Sequence, residues 1–289
     1  MFGWLRKQRR KQLQTRPFPK EWLTYLEDDV AFYPHLPENK REDFLNKLKI
    51  FVWEKYFFGA GGMELTEKVK VLIAAAAARL ILFLDDSHYD RLTEIVVYPH
   101  DYKHPDEKEV IYLGEAHTWG TVVLSWPALL RGLQNPLRWE DVATHEFAHV
   151  LDVATGRFNG TPNLRSRKAH KKWSEVMAKY FLKLREGGPF EQPSISNYGA
   201  QSEAEYFAVA TEAFFSNTRA FKRDVPEVFE LFKAFFGWEP SDLVHALTVN
   251  ESLQMTPSWI GLISDMGPKV ACHTGQNQPR PFSMRDLLH

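Results

Sequence analysis

Residues 145–149 read His-Glu-Phe-Ala-His, two histidines four residues apart with a glutamate directly after the first. Residues four apart on a helix lie on the same face, so His145 and His149 can bind one tetrahedral Zn²⁺ ion together. Glu146 then lies beside the metal, where its carboxylate can accept a proton from an attacking water molecule. This spacing predicts a zinc-dependent peptidase with about one zinc ion per chain.

The residues around this motif indicate a buried helix. The stretch 147–151 is apolar apart from His149, and it covers nearly the whole circumference of a helix. Buried histidine and glutamate side chains cost free energy unless they are paired or bound to a metal. Burial therefore favours metal binding over two incidental surface histidines.

A catalytic zinc site also needs a third protein ligand and one open coordination position. Thr155 occupies the place of the third histidine in the longer HExxHxxGxxH motif, which excludes a metzincin site. The segment 202–215, SEAEYFAVATEAFF, offers three carboxylates downstream. Glu203 and Glu205 point in nearly opposite directions on a helix, whereas Glu212 shares the face of Glu205. Spacing alone favours Glu205 only slightly.

Two aspartates of the motif helix could hold a ligand ring in place. A metal-bound imidazole usually donates its other N–H to a carboxylate or a carbonyl. Asp152 lies three residues beyond His149 and seven beyond His145, on the ligand face. We expect Asp152 to accept this hydrogen bond, and Asp141, one turn before His145, is a second candidate.

The elements that must position these residues predict an α+β fold, a small sheet flanked by helices. Thr93–Tyr98 and Thr121–Trp126 are rich in β-branched residues and predict strands. We expect the second strand, which precedes the motif helix, to be the sheet edge along which an extended peptide lies. Apolar residues at helical spacing predict helices over 19–58, 139–153, 165–185 and 202–216.

Composition and charge narrow the class of protein. The chain has 289 residues, 44% of them hydrophobic, enough for one large domain with a proper core. Its net charge of -1 gives no global field that would attract nucleic acid or an anionic membrane. Cys272 is the single cysteine, which fits a reducing compartment, so we expect a cytoplasmic protein. The apolar run Val69–Leu84 is interrupted by Arg79 and falls short of the ~20 residues of a bilayer span, so it predicts a buried helix.

Composition also predicts three segments along the chain. Residues 1–18 contain the basic run Arg6–Lys11 and predict a flexible, solvated end. Residues 19–266 are expected to form a single catalytic domain. Residues 267–289 are polar and contain prolines, which predicts a loosely held tail.

The motif resembles a known family once its flanks are included. HEFAHVLD at 145–152 and NYGAQSEAEYFAVATEAFF at 197–215 together resemble the zinc peptidases of the Mlc titration factor A family. The active-site half is also similar to that of anthrax lethal factor. The resemblance runs from about Pro19 to about Pro257, and it implies a zincin-like fold of the gluzincin type.

The resemblance implies a role for each site residue. In that family the metal ligands are the two histidines of HExxH and a glutamate seven residues after a tyrosine. Here this pattern falls on His145, His149 and Glu205, with Tyr198 as the tyrosine. Glu146 is then the general base, and Tyr198 donates a hydrogen bond to the oxyanion or helps to hold the water.

The family also implies partners. Its founding member binds the Mlc repressor of glucose phosphotransferase genes and shows aminopeptidase-type activity on small substrates. We therefore expect a peptide substrate, an Mlc-type repressor as a further partner, and no direct binding of nucleic acid.

The segment between the two predicted strands departs from the family pattern. Some members carry an extra histidine in a longer segment there. Here the segment is short, and His104 or His117 could substitute as a fourth ligand of the resting metal. His117 or Trp119 could also line the substrate cleft.

Two other classes of protein remain open at this point. One is a binding protein that sequesters a regulator and keeps a weak or vestigial peptidase site. The other is a protein with structural zinc, which is disfavoured because such sites are normally closed by four protein ligands.

Overall fold

A four-stranded sheet organises the fold. Its strands are β1 (Tyr56–Gly59), β2 (Glu94–Tyr98), β3 (Gly114–His117) and β4 (Thr121–Ser125). They lie in the order β1-β2-β4-β3, with β1, β2 and β4 parallel and β3 antiparallel to β4. The computed structural model describes residues 2–104, 110–135, 141–187 and 192–240. Within these ranges most of the other elements are helices, so the predicted α+β class is confirmed.

The predicted strands are present, but the predicted sheet edge is wrong. β4 is fully buried and lies between β2 and β3, so β3 is the edge strand on this side. The chain turns back at Gly120, whose φ of 102° is unfavourable for other residues. A Cβ there would also lie 2.2 Å from the carbonyl oxygen of Arg91. This turn lets the short GEAH segment cover the edge of β4.

Strand β1 overlaps the end of the stretch 19–58, which was predicted to be helical. Two helices fill most of that stretch, α2 (Lys20–Asp29) and α3 (Glu38–Glu54). The chain then becomes extended, because Tyr56–Gly59 pairs with residues 94–97 of β2. Aromatic residues favour strands, but the partner strand lies far along the chain, so local spacing gave no sign of the pairing.

Helix α4 (Glu67–Leu80) confirms the predicted buried helix. Thr66 caps its first turn by accepting a hydrogen bond from the backbone N–H of Val69. Its alanines are fully buried, which lets neighbouring elements approach closely. Within the described part of the chain, no helix is long and apolar enough to cross a membrane.

The first segment contains a helix that packs against the rest of the protein. Residues Phe2–Thr15 form helix α1. The buried guanidinium of Arg10 lies 2.6 Å from the carboxylate of Glu54 and 2.7 Å from that of Asp90. The ammonium of Lys49 donates to the carbonyl oxygens of residues 14 and 16. The tail predicted for 267–289 lies outside the described residues.

The remaining helices carry the candidate site and the core behind it. They are α5 (Trp126–Gln134), α6 (Val142–Val153), α7 (Arg167–Gly187), α8 (Glu203–Ser216), α9 (Thr218–Asp224) and α10 (Pro226–Phe236). Helix α6 packs against α8, α4 and β3. Trp173 stacks on Phe232, and Phe207 lies against both rings, so an aromatic core supports α8 from behind. The two helices that carry the candidate ligands, α6 and α8, thus pack against each other.

Candidate metal centre

His145, His149 and Glu205 bring three donor atoms together in the interior. Nε2 of His145 lies 3.0 Å from Oε2 of Glu205 and 3.1 Å from Nε2 of His149. The third side, from Nε2 of His149 to Oε2 of Glu205, is 3.4 Å. Ligands 2.0–2.1 Å from a tetrahedral Zn²⁺ ion lie about 3.3 Å from one another. The donor set and its spacing therefore fit a zinc ion. Among the described residues these three could hold a metal ion, and we call them the metal-ligand group.

Local capping explains why Glu205 faces the histidines. Ser202 caps α8, and its hydroxyl accepts a hydrogen bond from the backbone N–H of Glu205. The cap uses only the backbone N–H of Glu205, so the carboxylate of Glu205 is available to face α6. Burial would raise the pKa of this carboxyl, but the imidazoles of His149 and His145 hold it at about 2. The carboxylate is therefore ionised, as a metal ligand must be.

Glu146 is fully buried on α6 and packs against the edge strand. Gly114 is the point of contact, because a Cβ at this position would lie 2.7 Å from both Cγ and Oε1 of Glu146. It would also lie 2.8 Å from Cγ1 of Val142. Only glycine leaves room for the Glu146 carboxylate between α6 and β3. Sequence reasoning missed Gly114, since the contact exists only in the folded protein.

Glu212 is the carboxylate that holds a ligand imidazole. Its Oε1 lies 2.7 Å from Nδ1 of His145, on the side of the ring away from the metal-ligand group. Its Oε2 accepts a hydrogen bond from the backbone N–H of Asp141 at 3.1 Å. Burial raises the pKa of Glu212, while its hydrogen bond to His145 opposes this shift. Glu205 and Glu212 share one face of α8, as predicted, and contact opposite edges of the same imidazole.

A buried arginine extends this arrangement into the core. Arg79 of α4 forms an ion pair with the side chain of Asp141 and a hydrogen bond to Thr144. Asp141 caps α6 through the N–H of Thr144, and its own N–H contacts Glu212. The guanidinium of Arg79 also lies over the ring of Phe32 at 4.8 Å. Asp141, the second aspartate candidate, therefore supports the ligand His145 through Glu212 rather than directly.

The carboxylate of Asp152 binds the loop after α6, whereas its position on the helix face predicted a hydrogen bond to a ligand histidine. Its two oxygens accept hydrogen bonds from the backbone N–H groups of Gly160 and Thr161, each at 2.8 Å. The chain turns back after α6, and these N–H groups reach the carboxylate. Burial raises the pKa of Asp152 to about 7, although the backbone hydrogen bonds oppose this shift.

The loop that Asp152 holds covers the metal-ligand group. Its Phe158 stacks on the imidazole of His149, with ring centroids 4.9 Å apart. Gly160 lies so close to α8 that a Cβ there would be 2.3 Å from the carbonyl oxygen of Glu203. Trp173 also donates a hydrogen bond to the carbonyl of Gly160. The loop therefore contacts both the end of α6 and the beginning of α8.

Tyr198 lies beside the metal-ligand group. It belongs to a short 3₁₀ turn, Asn197–Ala200, and its ring centroid is 5.9 Å from that of His145. The turn packs tightly on α8, since a Cβ at Gly199 would lie 2.6 Å from Cγ2 of Val209. The half-buried phenol is thus held near the imidazole by the same helix that carries Glu205.

His104 and His117 belong to a different group of side chains. Nε2 of His104 lies 2.7 Å from Glu115, and Nε2 of His117 lies 3.7 Å from the same carboxylate. Glu115 and Gly114 are consecutive in β3, so their side-chain directions lie on opposite faces of the sheet. Neither histidine is part of the metal-ligand group among the described residues. His117 also stacks on the exposed Trp119, with ring centroids 4.2 Å apart.

Comparison with known proteins decides the family. Residues 4–237 match the glucose-regulated metallo-peptidase M90 family. The chain belongs to this family. The M90 assignment supports the predicted metallopeptidase class, and the donor group described above is compatible with the metal that such a peptidase requires.

Individual relatives show which proteins of the M90 family this chain is similar to. It is 32% identical over 249 residues to an uncharacterized protein of Synechocystis sp., a match that covers 80% of this chain and 89% of the relative. It is 24% identical to Mlc titration factor A of Escherichia coli O1:K1, covering 76% and 88% of the two chains. The protein of the same name from Klebsiella pneumoniae is 26% identical, covering 73% and 84%. These matches confirm the resemblance to the Mlc titration factor A family.

Proposed function

We propose that this M90 protein is a zinc-dependent peptidase of the gluzincin type, with His145, His149 and Glu205 as the metal ligands. The observation that carries the proposal is the triangle of three buried donor atoms, 3.0 to 3.4 Å apart, next to a buried glutamate. Two imidazoles, one carboxylate and an open position are the usual ligand set of a catalytic zinc ion in a peptidase.

Glu146 is the proton carrier of the proposed reaction. When bound, zinc would supply a Lewis acid that polarises the scissile carbonyl and favours ionisation of water. The carboxylate of Glu146 accepts the proton of the attacking water and returns it to the nitrogen of the leaving amine. Its fixed position between α6 and Gly114 keeps the carboxylate at one location during both transfers.

Glu212 and Tyr198 support the same reaction from two sides. The hydrogen bond between Glu212 and Nδ1 of His145 keeps the proton on Nδ1, so the lone pair of Nε2 faces the ligand group. The phenol of Tyr198 donates a hydrogen bond to the oxyanion that develops on the substrate carbonyl. That role is supported by the position of the ring beside His145.

An extended peptide would bind along β3, the edge strand next to Glu146. An edge strand has unpaired backbone groups that can pair with a substrate backbone. The contact between Gly114 and Glu146 brings this strand directly to the proton carrier. His117 and Trp119, at the far end of β3, would contact substrate residues away from the cleaved bond.

The proposal has three finer parts. We propose an aminopeptidase-like activity, a cytoplasmic location and an Mlc-type repressor as a further partner. Support for the partner is the name Mlc titration factor A, which several relatives carry. The alternative is a protein that sequesters a regulator without using its peptidase site.

The test compares Glu146→Gln with wild type and with Glu203→Gln, a matched change at a solvent-exposed glutamate. Hydrolysis of an amino-acid anilide should fall by at least about 100-fold in Glu146→Gln, because general-base catalysis contributes ~10²–10⁴-fold. Bound zinc, measured by metal analysis, should stay near one ion per chain in all three proteins. Tyr198→Phe should lower kcat more than it changes KM.

The regulator-sequestering alternative gives a different pattern. Wild-type turnover would be at background on every substrate, and relief of repression in cells would survive Glu146→Gln. That pair of results would replace the peptidase proposal.

A further inference from the structure

Two large apolar side chains stand next to each other in solvent on helix α1. Trp4 is 65% exposed and Leu5 is 53% exposed. Exposed apolar surface is costly in water, and contiguous exposed apolar surface is typical of sites that contact a partner or a membrane. Nothing in the proposed peptidase reaction uses them.

The opposite face of α1 fixes the helix to the body of the protein. Arg10 is buried against Glu54, and Leu13, one turn farther along, is buried as well. Trp4 lies on the other side of the helix from these two residues by helical geometry. The exposed side chains therefore stand on an ordered support, and the helix has one inward and one outward face.

The charge of α1 differs from that of the rest of the chain. The helix contains five basic residues and no acidic residue, whereas the net charge of the whole chain is -1. The remainder therefore carries a net charge of -6. Lys7, Arg9 and Lys11 are exposed, and none forms an ion pair within 4 Å in the part of the chain that the structure describes. Positive charge is thus concentrated around Trp4 and Leu5.

We propose that the outward face of α1, defined by Trp4, Leu5, Lys7 and Lys11, docks on an anionic lipid bilayer. Tryptophan and leucine enter the boundary between head groups and acyl chains, while the cations contact anionic head groups. A bilayer accounts for the apolar and the cationic side chains together, whereas an acidic protein surface accounts only for the cations. This inference is independent of the peptidase proposal.

Sedimentation with lipid vesicles tests the docking surface. The wild-type chain should bind vesicles of phosphatidylcholine with about one third phosphatidylglycerol, and binding to pure phosphatidylcholine should be at least about 10-fold weaker. The double variant Lys7→Gln/Lys11→Gln should bind about 30-fold more weakly, since each cation near an anionic surface contributes a factor of about five. Trp4→Ser/Leu5→Ser should weaken binding at least about 10-fold.

Matched changes on α7 provide the control. Leu182→Ser removes another exposed leucine, and Lys168→Gln/Lys172→Gln removes two exposed lysines. Both controls should bind vesicles like wild type, and thermal unfolding should show that all variants are folded. Equal binding to neutral and anionic vesicles, no binding to either, or equal losses in the α1 and α7 variants would each overturn the proposal.

Discussion

The three glutamates of α8 show how surroundings divide roles among identical side chains. Glu203 is exposed at the first turn, while Glu205 faces the two histidines and Glu212 contacts the far edge of His145. Burial acts on both inner carboxyls, but the pKa of Glu205 is lowered by two imidazoles whereas that of Glu212 is raised. Of these three glutamates, Glu205 is the one whose carboxylate faces both histidines.

Substitution of each glutamate should separate these roles. Glu205→Ala should abolish zinc binding, because it removes one of three donor atoms. Glu212→Gln should weaken zinc binding by ~10–100-fold, because it loosens the support of the His145 ring. Glu203→Ala is the matched control and should bind like wild type. Zinc affinity measured by chelator competition gives the order, and loss of zinc in the Glu212 variant alone would reverse the assignment.

Gly114→Ala should damage catalysis while the metal stays bound. The added methyl group would meet Cγ and Oε1 of Glu146 at 2.7 Å, so the carboxylate must move. A displaced general base should lower kcat by at least about 10-fold, whereas the ligands are untouched. Steady-state kinetics with parallel metal analysis measures both effects. Ala116→Gly, a change of similar size on the same strand, should leave kcat within about twofold.

At the scale of residues, sequence spacing predicted the arrangement of side chains that lie within one helix. The placement of His145 and His149 follows from one helical turn, and the structure brings the two rings together. Spacing could not separate Glu205 from Glu212, because seven residues return to the same helical face. The role of Gly114 depends on a tertiary contact, so no local pattern signalled it.

At the scale of elements, the loop after α6 connects the two helices of the candidate site. Asp152 holds the loop by two backbone hydrogen bonds, Phe158 covers His149, and Gly160 lies against α8. Val153, Phe158 and Ala204 form a small apolar cluster between the same elements. The relative position of α6 and α8 therefore depends on this loop.

Asp152→Asn should loosen the connection. An amide offers one acceptor oxygen, and its NH₂ group would face a backbone N–H, so one buried hydrogen bond is lost at a cost of about 1–3 kcal/mol. We expect a lower Tm and about 10-fold faster release of zinc, measured by stopped-flow chelation. Asp85→Asn makes the same chemical change at an exposed aspartate that also accepts a hydrogen bond from a backbone N–H, and it should not change zinc release. Equal release rates in the two variants would show that the loop does not support the ligands.

Strands were harder to predict than helices, and the reason is physical. β2 and β4 were predicted because buried strands need apolar, β-branched residues. β3 contains Gly114, Glu115 and His117 and has no such pattern. One of its faces borders the candidate site, and the other carries Glu115, which contacts His104. Strand β1 directly follows a helical stretch. Its extended conformation depends on pairing with β2, which lies far along the chain, so the local sequence did not predict it.

At the scale of the whole molecule, α1 is attached to the rest of the chain by buried charge. Burial would raise the pKa of Glu54, but Arg10 and Lys55 lower it to about 2. A carboxyl with a lowered pKa stabilises the fold above its unfolded-state pKa near 4.5, and this stabilisation is lost as the pH falls toward 2. The basic run alone gave no sign of this, because Glu54 and Asp90 lie far along the chain.

Glu54→Gln should therefore be less stable than wild type, by about 3 kcal/mol at pH 7. The difference in the free energy of unfolding should be constant above about pH 5 and shrink between pH 4.5 and pH 2, as Glu54 becomes protonated. Urea titrations across this range measure it. Glu67→Gln, at an exposed glutamate of α4, is the control, and a gap that persists unchanged at pH 2 would contradict the linkage.

The distance along the chain between the ligands has a consequence for protein synthesis. Sixty residues separate His145 from Glu205, and a further seven separate Glu205 from Glu212. During translation α6 leaves the ribosome with two imidazoles and no carboxylate partner, and the ligand set is complete only after α8 has emerged and packed. A prematurely terminated chain that ends before α8 lacks Glu205 and Glu212 and therefore cannot assemble the three donor atoms.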